Sequence, residues 1–153
     1  RKALMTKVDK FIQKGAKLRM IGDMSKFSHD IQEGMKKAIE KSAANDKITV
    51  TFALNYGGRD EIIRAINKWL EENRKQELGI SQEDFSGYLD TAEMPEPDLI
   101  IRTGGEQRTS GFLMWSGAYA EWYFTETFFP DFDEEEFDKA IAEYQSRQRR
   151  FGK

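Results

Sequence analysis

At 153 residues the chain is long enough for one domain with a real core, and no shift in composition along residues 1–153 marks a second. Its 24 basic and 27 acidic residues leave a net charge of −3, so a general affinity for nucleic acid has no electrostatic basis and any anion site must be local. Cysteine is absent, which excludes disulfide frameworks, cysteine-based zinc sites and thiol catalysis. No run approaches the ~20 apolar residues of a spanning helix, so the expected setting is cytoplasmic, with at most peripheral membrane contact.

The chain opens on Arg1-Lys2-Ala3 and enters a helical pattern at once, with Leu4, Val8, Phe11 and Ile12 on one face. That start reads as the interior of a longer protein. Gly15 suits the left-handed end of this helix, and Leu18 to Ile21 follows as a short buried strand. Ser28 is placed to cap a second helix carrying Ile31, Met35, Ala38 and Ile39 at helical spacing, up to the turn residues Asn45-Asp46.

Ile48 to Leu54 is β-branched and alternating, and it stops at Asn55-Tyr56-Gly57-Gly58-Arg59. The next helix is predicted to bury Ile62, Ile63, Ile66, Trp69 and Leu70 and to solvate its charged tail. Ser81 with Asp84 predicts a short capped helix, and Pro95 and Pro97 break the chain before a strand at Leu99. Ala118 to Phe124 reads as a strand by its aromatics, with a helix the alternative for so short a run. Asp133 then caps a last helix with an inward stripe of Phe137, Ile141 and Tyr144, its Glu134, Glu135 and Glu136 favoured by the helix dipole. Helices alternating with short apolar strands predict an α/β fold, a mostly parallel sheet covered by helices on both faces.

The segment that carries chemistry is Arg102-Thr103-Gly104-Gly105-Glu106-Gln107-Arg108-Thr109-Ser110, at the end of the Leu99 strand. Two guanidiniums, a hydroxyl and a glycine pair whose N–H groups could approach an anion suit a phosphorylated ligand, and local chemistry favours this over an ordinary two-arginine turn. Neither GxGxxG nor GxxxxGK[ST] is present, so dinucleotide and P-loop sites are not supported. Glu121, alone among aromatics, is either in a salt bridge to an arginine or a magnesium ligand, and its local chemistry favours the salt bridge. His29, the single histidine, reads as solvent-exposed, and Arg59 as equally a carboxylate's partner or an anion ligand. The alternating face of Ile48, Val50, Phe52 and Leu54 could line a cavity for a long apolar chain.

These motifs together resemble the cis-prenyltransferases, and within them the bacterial undecaprenyl diphosphate synthases. The likeness runs through Ile21-Gly22-Asp23 with Ser25 and Phe27, residues 55–59 and 98–106, Phe112-Leu113 with Trp115, Ala118-Tyr119-Ala120-Glu121, Phe129-Pro130-Asp131-Phe132 and the closing Arg149-Arg150-Phe151-Gly152. It implies repeated addition of isopentenyl diphosphate to farnesyl diphosphate with cis double bonds, using Mg²⁺, to make the undecaprenyl lipid carrier of cell-wall synthesis. Positions matching Arg102, Arg108 and Ser110 would hold the isopentenyl diphosphate, Glu121 would bind Mg²⁺, and Ile48 and Phe52 would line the tunnel that limits product length. The family is homodimeric, and Arg150 and Gly152 would reach the partner's site to assist diphosphate binding.

The family's Asp-Gly-Asn-Gly-Arg-Trp and Phe-Ser-x-Glu-Asn segments have no match in these residues. The first carries the catalytic aspartate, so the chain by itself is expected not to turn over, and the whole reads as the C-terminal part of a synthase. The alternatives are a non-catalytic partner subunit, which usually lacks the Arg-Thr-Gly-Gly-Glu motif kept here, and a generic diphosphate-binding α/β domain.

Overall fold

The computed structural model describes residues 2–74 and 79–147. Helices and strands alternate through the first half and then come in pairs: α1 (Lys2–Gln13), β1 (Ala16–Ile21), α2 (His29–Ser42), β2 (Ile48–Ala53), α3 (Gly58–Glu72), α4 (Gln82–Ser86), β3 (Leu99–Arg102), β4 (Glu121–Phe124) and α5 (Glu134–Ser146). Short 3-10 turns stand at Met24–Lys26 and Phe129–Asp131. Both strand pairs, β1 with β2 and β3 with β4, are parallel; α2 makes the first crossover, and a helix-free segment of turns makes the second. They form two separate two-stranded sheets. The chain divides into two compact units, residues 1–61 and 62–153.

In the first unit, α1 stops where Gly15 takes φ +89° and its N–H bonds the Ile12 carbonyl at 2.9 Å. The register sets Leu18 opposite Val50 and Met20 opposite Phe52, so these side chains share one sheet face. That face packs with Val8, Met35 and Ala38 into the unit's core. Ser42 is fully buried among them, but its hydroxyl is satisfied: it accepts the Leu18 N–H and donates to the Ile39 carbonyl, each at 2.9 Å. The amide of Asn45 donates to the Ile12 and Ala16 carbonyls at 3.0 and 2.9 Å, so the predicted turn residue also fastens α1 to β1. Ser28 does precede α2, yet its hydroxyl makes no cap bond and pairs with the Asp30 carboxylate instead.

In the second unit the core holds Ala65, Phe85 and Leu89, with Ile62, Tyr88 and Trp115 against them. The Trp115 indole N–H donates to Ser86 at 2.9 Å and its ring meets Phe85 edge-on at 4.8 Å. Arg64 and Asp90 form a two-point pair with both bonds at 2.7 Å. The predicted inward face of α3 needs correction, because Ile63 is 56% exposed and Ile66 and Leu70 are exposed too. Its buried line runs through Ile62 and Ala65, about 100° per residue round from the Ile63 line.

The cap of α4 is as predicted, with Ser81 accepting the Asp84 N–H at 3.0 Å. Asp133 likewise caps α5, accepting the Glu136 N–H at 3.1 Å. Helix α5 meets β4 with the fully buried Ala140 on its inner side, while Phe137, expected inside, is 47% exposed. A small residue lets the helix come close, and the bulkier aromatic a turn earlier stays at the rim.

Candidate functional site

Strand β3 delivers Arg102 to its C-terminal end, where the backbone turns through Gly104 and Gly105 at φ +89° and +79°. Only glycine adopts these angles without cost, and a Cβ at position 105 would stand 3.0 Å from a Glu126 carboxylate oxygen. Their N–H groups are already engaged: Gly104 donates to the Thr127 carbonyl and Gly105 to that of Thr125, each at 2.9 Å. This corrects the reading of the pair as an anion cradle. The glycines tie the exit of β3 to residues 125–127, and their N–H groups are spent on those carbonyls.

The acceptor segment is itself held by α5. Glu136 accepts from the Thr127 hydroxyl at 3.0 Å, the Thr125 hydroxyl at 3.4 Å and Lys139 at 2.7 Å. Lys139 first, then Thr127, holds the Glu136 carboxyl below its usual range. A capped helix start thus fixes residues 125–127, these fix the glycines, and the glycines set the exit from Arg102.

Beyond the turn the chain comes back to Arg102. Its guanidinium Nη1 donates to the Ser110 hydroxyl at 3.0 Å and to the Arg108 carbonyl. Ser110 takes φ +48°, a left-handed conformation uncommon outside glycine, and in it the hydroxyl meets Arg102. The Arg108 guanidinium pairs with Glu106, both side chains largely exposed. Such an exposed pair is worth about 0.2–1 kcal/mol, so it holds Arg108 only weakly. Arg102, Arg108 and Ser110 are therefore gathered in one loop.

Glu121 lies elsewhere. In the register Leu99 faces Glu121 and Arg102 faces Phe124, so Glu121 stands at the opposite end of the β3–β4 pair from Arg102. Three residues of parallel strand are about 10 Å. Its Oε2 accepts from Arg147 at 2.8 Å, and Arg147 also donates to Glu143 at 2.5 Å. The two carboxylates, Glu121 first, raise the Arg147 pKa above its ordinary value. Of the two readings of Glu121, the ion pair is the one in this structure. No group of three or more His, Asp or Glu is arranged for a metal among the described residues. A single carboxylate still fits Mg²⁺, which commonly takes one or two of them with water and phosphate oxygens.

The first unit holds the other candidates. Phe52 is half-buried and meets Phe11 edge-on at 6.2 Å, whereas Ile48 is 61% exposed at the start of β2. Beside Met20, which shares the Phe52 face, an apolar cleft of about 450 Å³ opens among Met24, Met35 and Ile39, rimmed by Gln32 and Lys36. At the strand ends Asn55 donates to the Asp23 carbonyl at 3.1 Å, and Gly22 sits at φ +103°, where a Cβ would strike the Leu54 carbonyl. Arg59 and His29 are exposed.

Sequence reasoning missed Glu61, 1% exposed and bonded by the Tyr56 hydroxyl at 2.5 Å, and it missed Arg147. A helical i+4 spacing joins Arg147 to Glu143, but nothing local points to Glu121, 26 residues away. Arg150 and Gly152 lie outside the described residues. No helix among the described residues is long and apolar enough to cross a membrane.

The family model described as "Putative undecaprenyl diphosphate synthase" matches residues 1–152. The isoprenyl transferase of Nitrosomonas europaea is 44% identical over 151 residues, covering 99% of this chain and 57% of the relative. The ditrans,polycis-undecaprenyl-diphosphate synthase ((2E,6E)-farnesyl-diphosphate specific) of Haemophilus influenzae is 44% identical over 153 residues, with 98% and 64% covered. Among solved structures, a "probable undecaprenyl diphosphate synthase (uppS)" from Campylobacter jejuni superposes with a TM-score of 0.87 at 36% identity, over 99% of this chain and 71% of that one. The chain thus spans about three-fifths of the length of the curated relatives it matches. A family match along nearly the whole chain, with the parallel α/β fold and an arginine-bearing strand end, leads to one conclusion: this chain belongs to the cis-prenyltransferase family of undecaprenyl diphosphate synthases.

Proposed function

We propose that this chain supplies the isopentenyl diphosphate site of an undecaprenyl diphosphate synthase. The observation that carries the reading is the Arg102 guanidinium fixed by neutral acceptors, the Ser110 hydroxyl and the Arg108 carbonyl. Its positive charge is oriented without being cancelled, which suits a diphosphate.

In the reaction so proposed, isopentenyl diphosphate condenses with farnesyl diphosphate: the allylic C–O bond breaks and pyrophosphate leaves, the isopentenyl double bond attacks the freed carbon, and a proton is lost to give a cis double bond. Arg102 and Arg108 hold the isopentenyl diphosphate and Ser110 orients it, so the double bond is presented in one direction. Mg²⁺, when bound, supplies charge neutralisation at the diphosphates, with Glu121 as its carboxylate ligand. Ile48 and Phe52 belong to the wall along which the growing apolar chain lies. In a homodimer, Arg150 and Gly152 assist the diphosphate in the partner's site. Ionisation of the allylic diphosphate belongs to a polypeptide that also carries the Asp-Gly-Asn-Gly-Arg-Trp motif.

Calorimetric titration with isopentenyl diphosphate and Mg²⁺ tests the reading. Arg102→Ala removes charged hydrogen bonds worth about 1.5–3 kcal/mol, an expected loss of about 10- to 100-fold in affinity. In a synthase that turns over, the same substitution mainly raises KM for isopentenyl diphosphate. Unchanged affinity and KM would refute the assignment.

A further inference from the structure

We propose that Arg147 is a latch on Glu121: guanidinium and divalent cation compete for the same carboxylate, and cation binding detaches the end of α5 from β4. The inference rests on the reading of Glu121 as a metal ligand. Arg147 is the first residue past α5, with extended backbone at φ −80° and ψ 139° and its N–H on the Tyr144 carbonyl. One arm of its guanidinium reaches Glu121 on β4 at 2.8 Å, and the other reaches Glu143 on its own helix at 2.5 Å.

The two bonds differ in what they join. Glu143 moves with Arg147, so that bond survives any shift of the helix end. The Glu121 bond ties separate elements, and it is the one a cation removes. Both side chains remain accessible to water, 34% exposed for Arg147 and 28% for Glu121, so an ion can reach the pair without unfolding anything. A divalent ion at the same oxygen attracts it with about twice the Coulomb energy of a guanidinium. Glu143 keeps the released guanidinium neutralised, and the helix C-terminus favours its charge, which lowers the cost of release.

The latch makes Arg147 a positioning residue. Without metal it holds the carboxylate and ties the end of α5 to β4. With metal it lets go of β4.

Titration with Mn²⁺ in the presence of inorganic pyrophosphate, followed by electron paramagnetic resonance, tests this on the wild type and the Arg147→Gln, Arg147→Lys and Glu121→Gln variants, with thermal unfolding as a control. Removing the competitor in Arg147→Gln is expected to tighten Mn²⁺ binding about two- to fivefold, the range of a partly exposed ion pair, with Arg147→Lys close to wild type. Equal or weaker binding by Arg147→Gln overturns the latch, since a merely structural arginine would leave the affinity unchanged or lowered. If Glu121→Gln binds as well as the wild type, or if none of the proteins binds, the metal reading of Glu121 falls and the latch with it. The nitrogen resonance of the Arg147 side chain in the wild type gives a readout that needs no variant. It should shift when Mg²⁺ and pyrophosphate are added together, and an unmoved signal contradicts the latch.

Discussion

The two ends of the β3–β4 pair hold charged side chains in opposite ways. At the C-terminal end of β3, Arg102 is bound by a carbonyl and a hydroxyl, neutral acceptors that fix its direction and leave its charge standing. At the N-terminal end of β4, Glu121 is bound by a guanidinium, which fixes it and cancels its charge. The first arrangement is ready for an anion. Under the proposed reading of Glu121, a metal there must first displace Arg147, so the same kind of bond preorganises one end and masks the other.

The sharpest way to break this contrast is Arg102→Ala, for which we expect the largest effect, the about 10- to 100-fold loss of isopentenyl diphosphate affinity given above. Next is Gly105→Ala, which touches no charge. The φ of +79° and the close Glu126 oxygen should cost about 1–2 kcal/mol, read as a drop of several degrees in melting temperature, with weakened diphosphate binding because Arg102 leaves the strand from this turn. A Gly105→Ala protein as stable as wild type would show that the turn is not under this constraint.

Glu106→Gln sharpens the comparison from the other side. Removing the carboxylate that holds Arg108 should tighten diphosphate binding about twofold, seen by calorimetry; weaker binding would mean that Glu106 orients Arg108 toward the ligand.

The smallest expected effect concerns Glu136, whose lowered pKa comes first from Lys139 and then from Thr127. A carboxyl depressed in the folded state contributes stability above its unfolded value, near 4.5, and loses it as pH falls through the folded value. Glu136→Gln should therefore melt slightly below wild type at pH 7, and the two curves should converge in acid below that range. A gap that persists there would assign the effect to packing.

Much of this was legible in the sequence where local chemistry decides it. The apolar run that ends at Arg102, the caps at Ser81 and Asp133 and the stop at Gly15 are set by groups within a turn of one another. The gathering of Arg102, Arg108 and Ser110 was also readable, because they lie within one loop. What escaped depends on partners distant in sequence. The helical stripe of α3 offered two adjacent lines, and only packing against Phe85 and Leu89 picks the one through Ala65. A glycine pair after a strand signals close backbone approach, but whether a ligand or a strand approaches was set by Thr125 and Thr127. The Glu121 partner came from the far end of α5.

Whether the loop at the end of β3 is a diphosphate site is decided by a crystal structure of the chain with isopentenyl diphosphate. Diphosphate oxygens should lie within hydrogen-bonding distance of the Arg102 guanidinium and the Ser110 hydroxyl, with Arg108 turned from Glu106 onto the ligand. A diphosphate bound elsewhere, with the Arg102 and Arg108 contacts as they stand here, would contradict it.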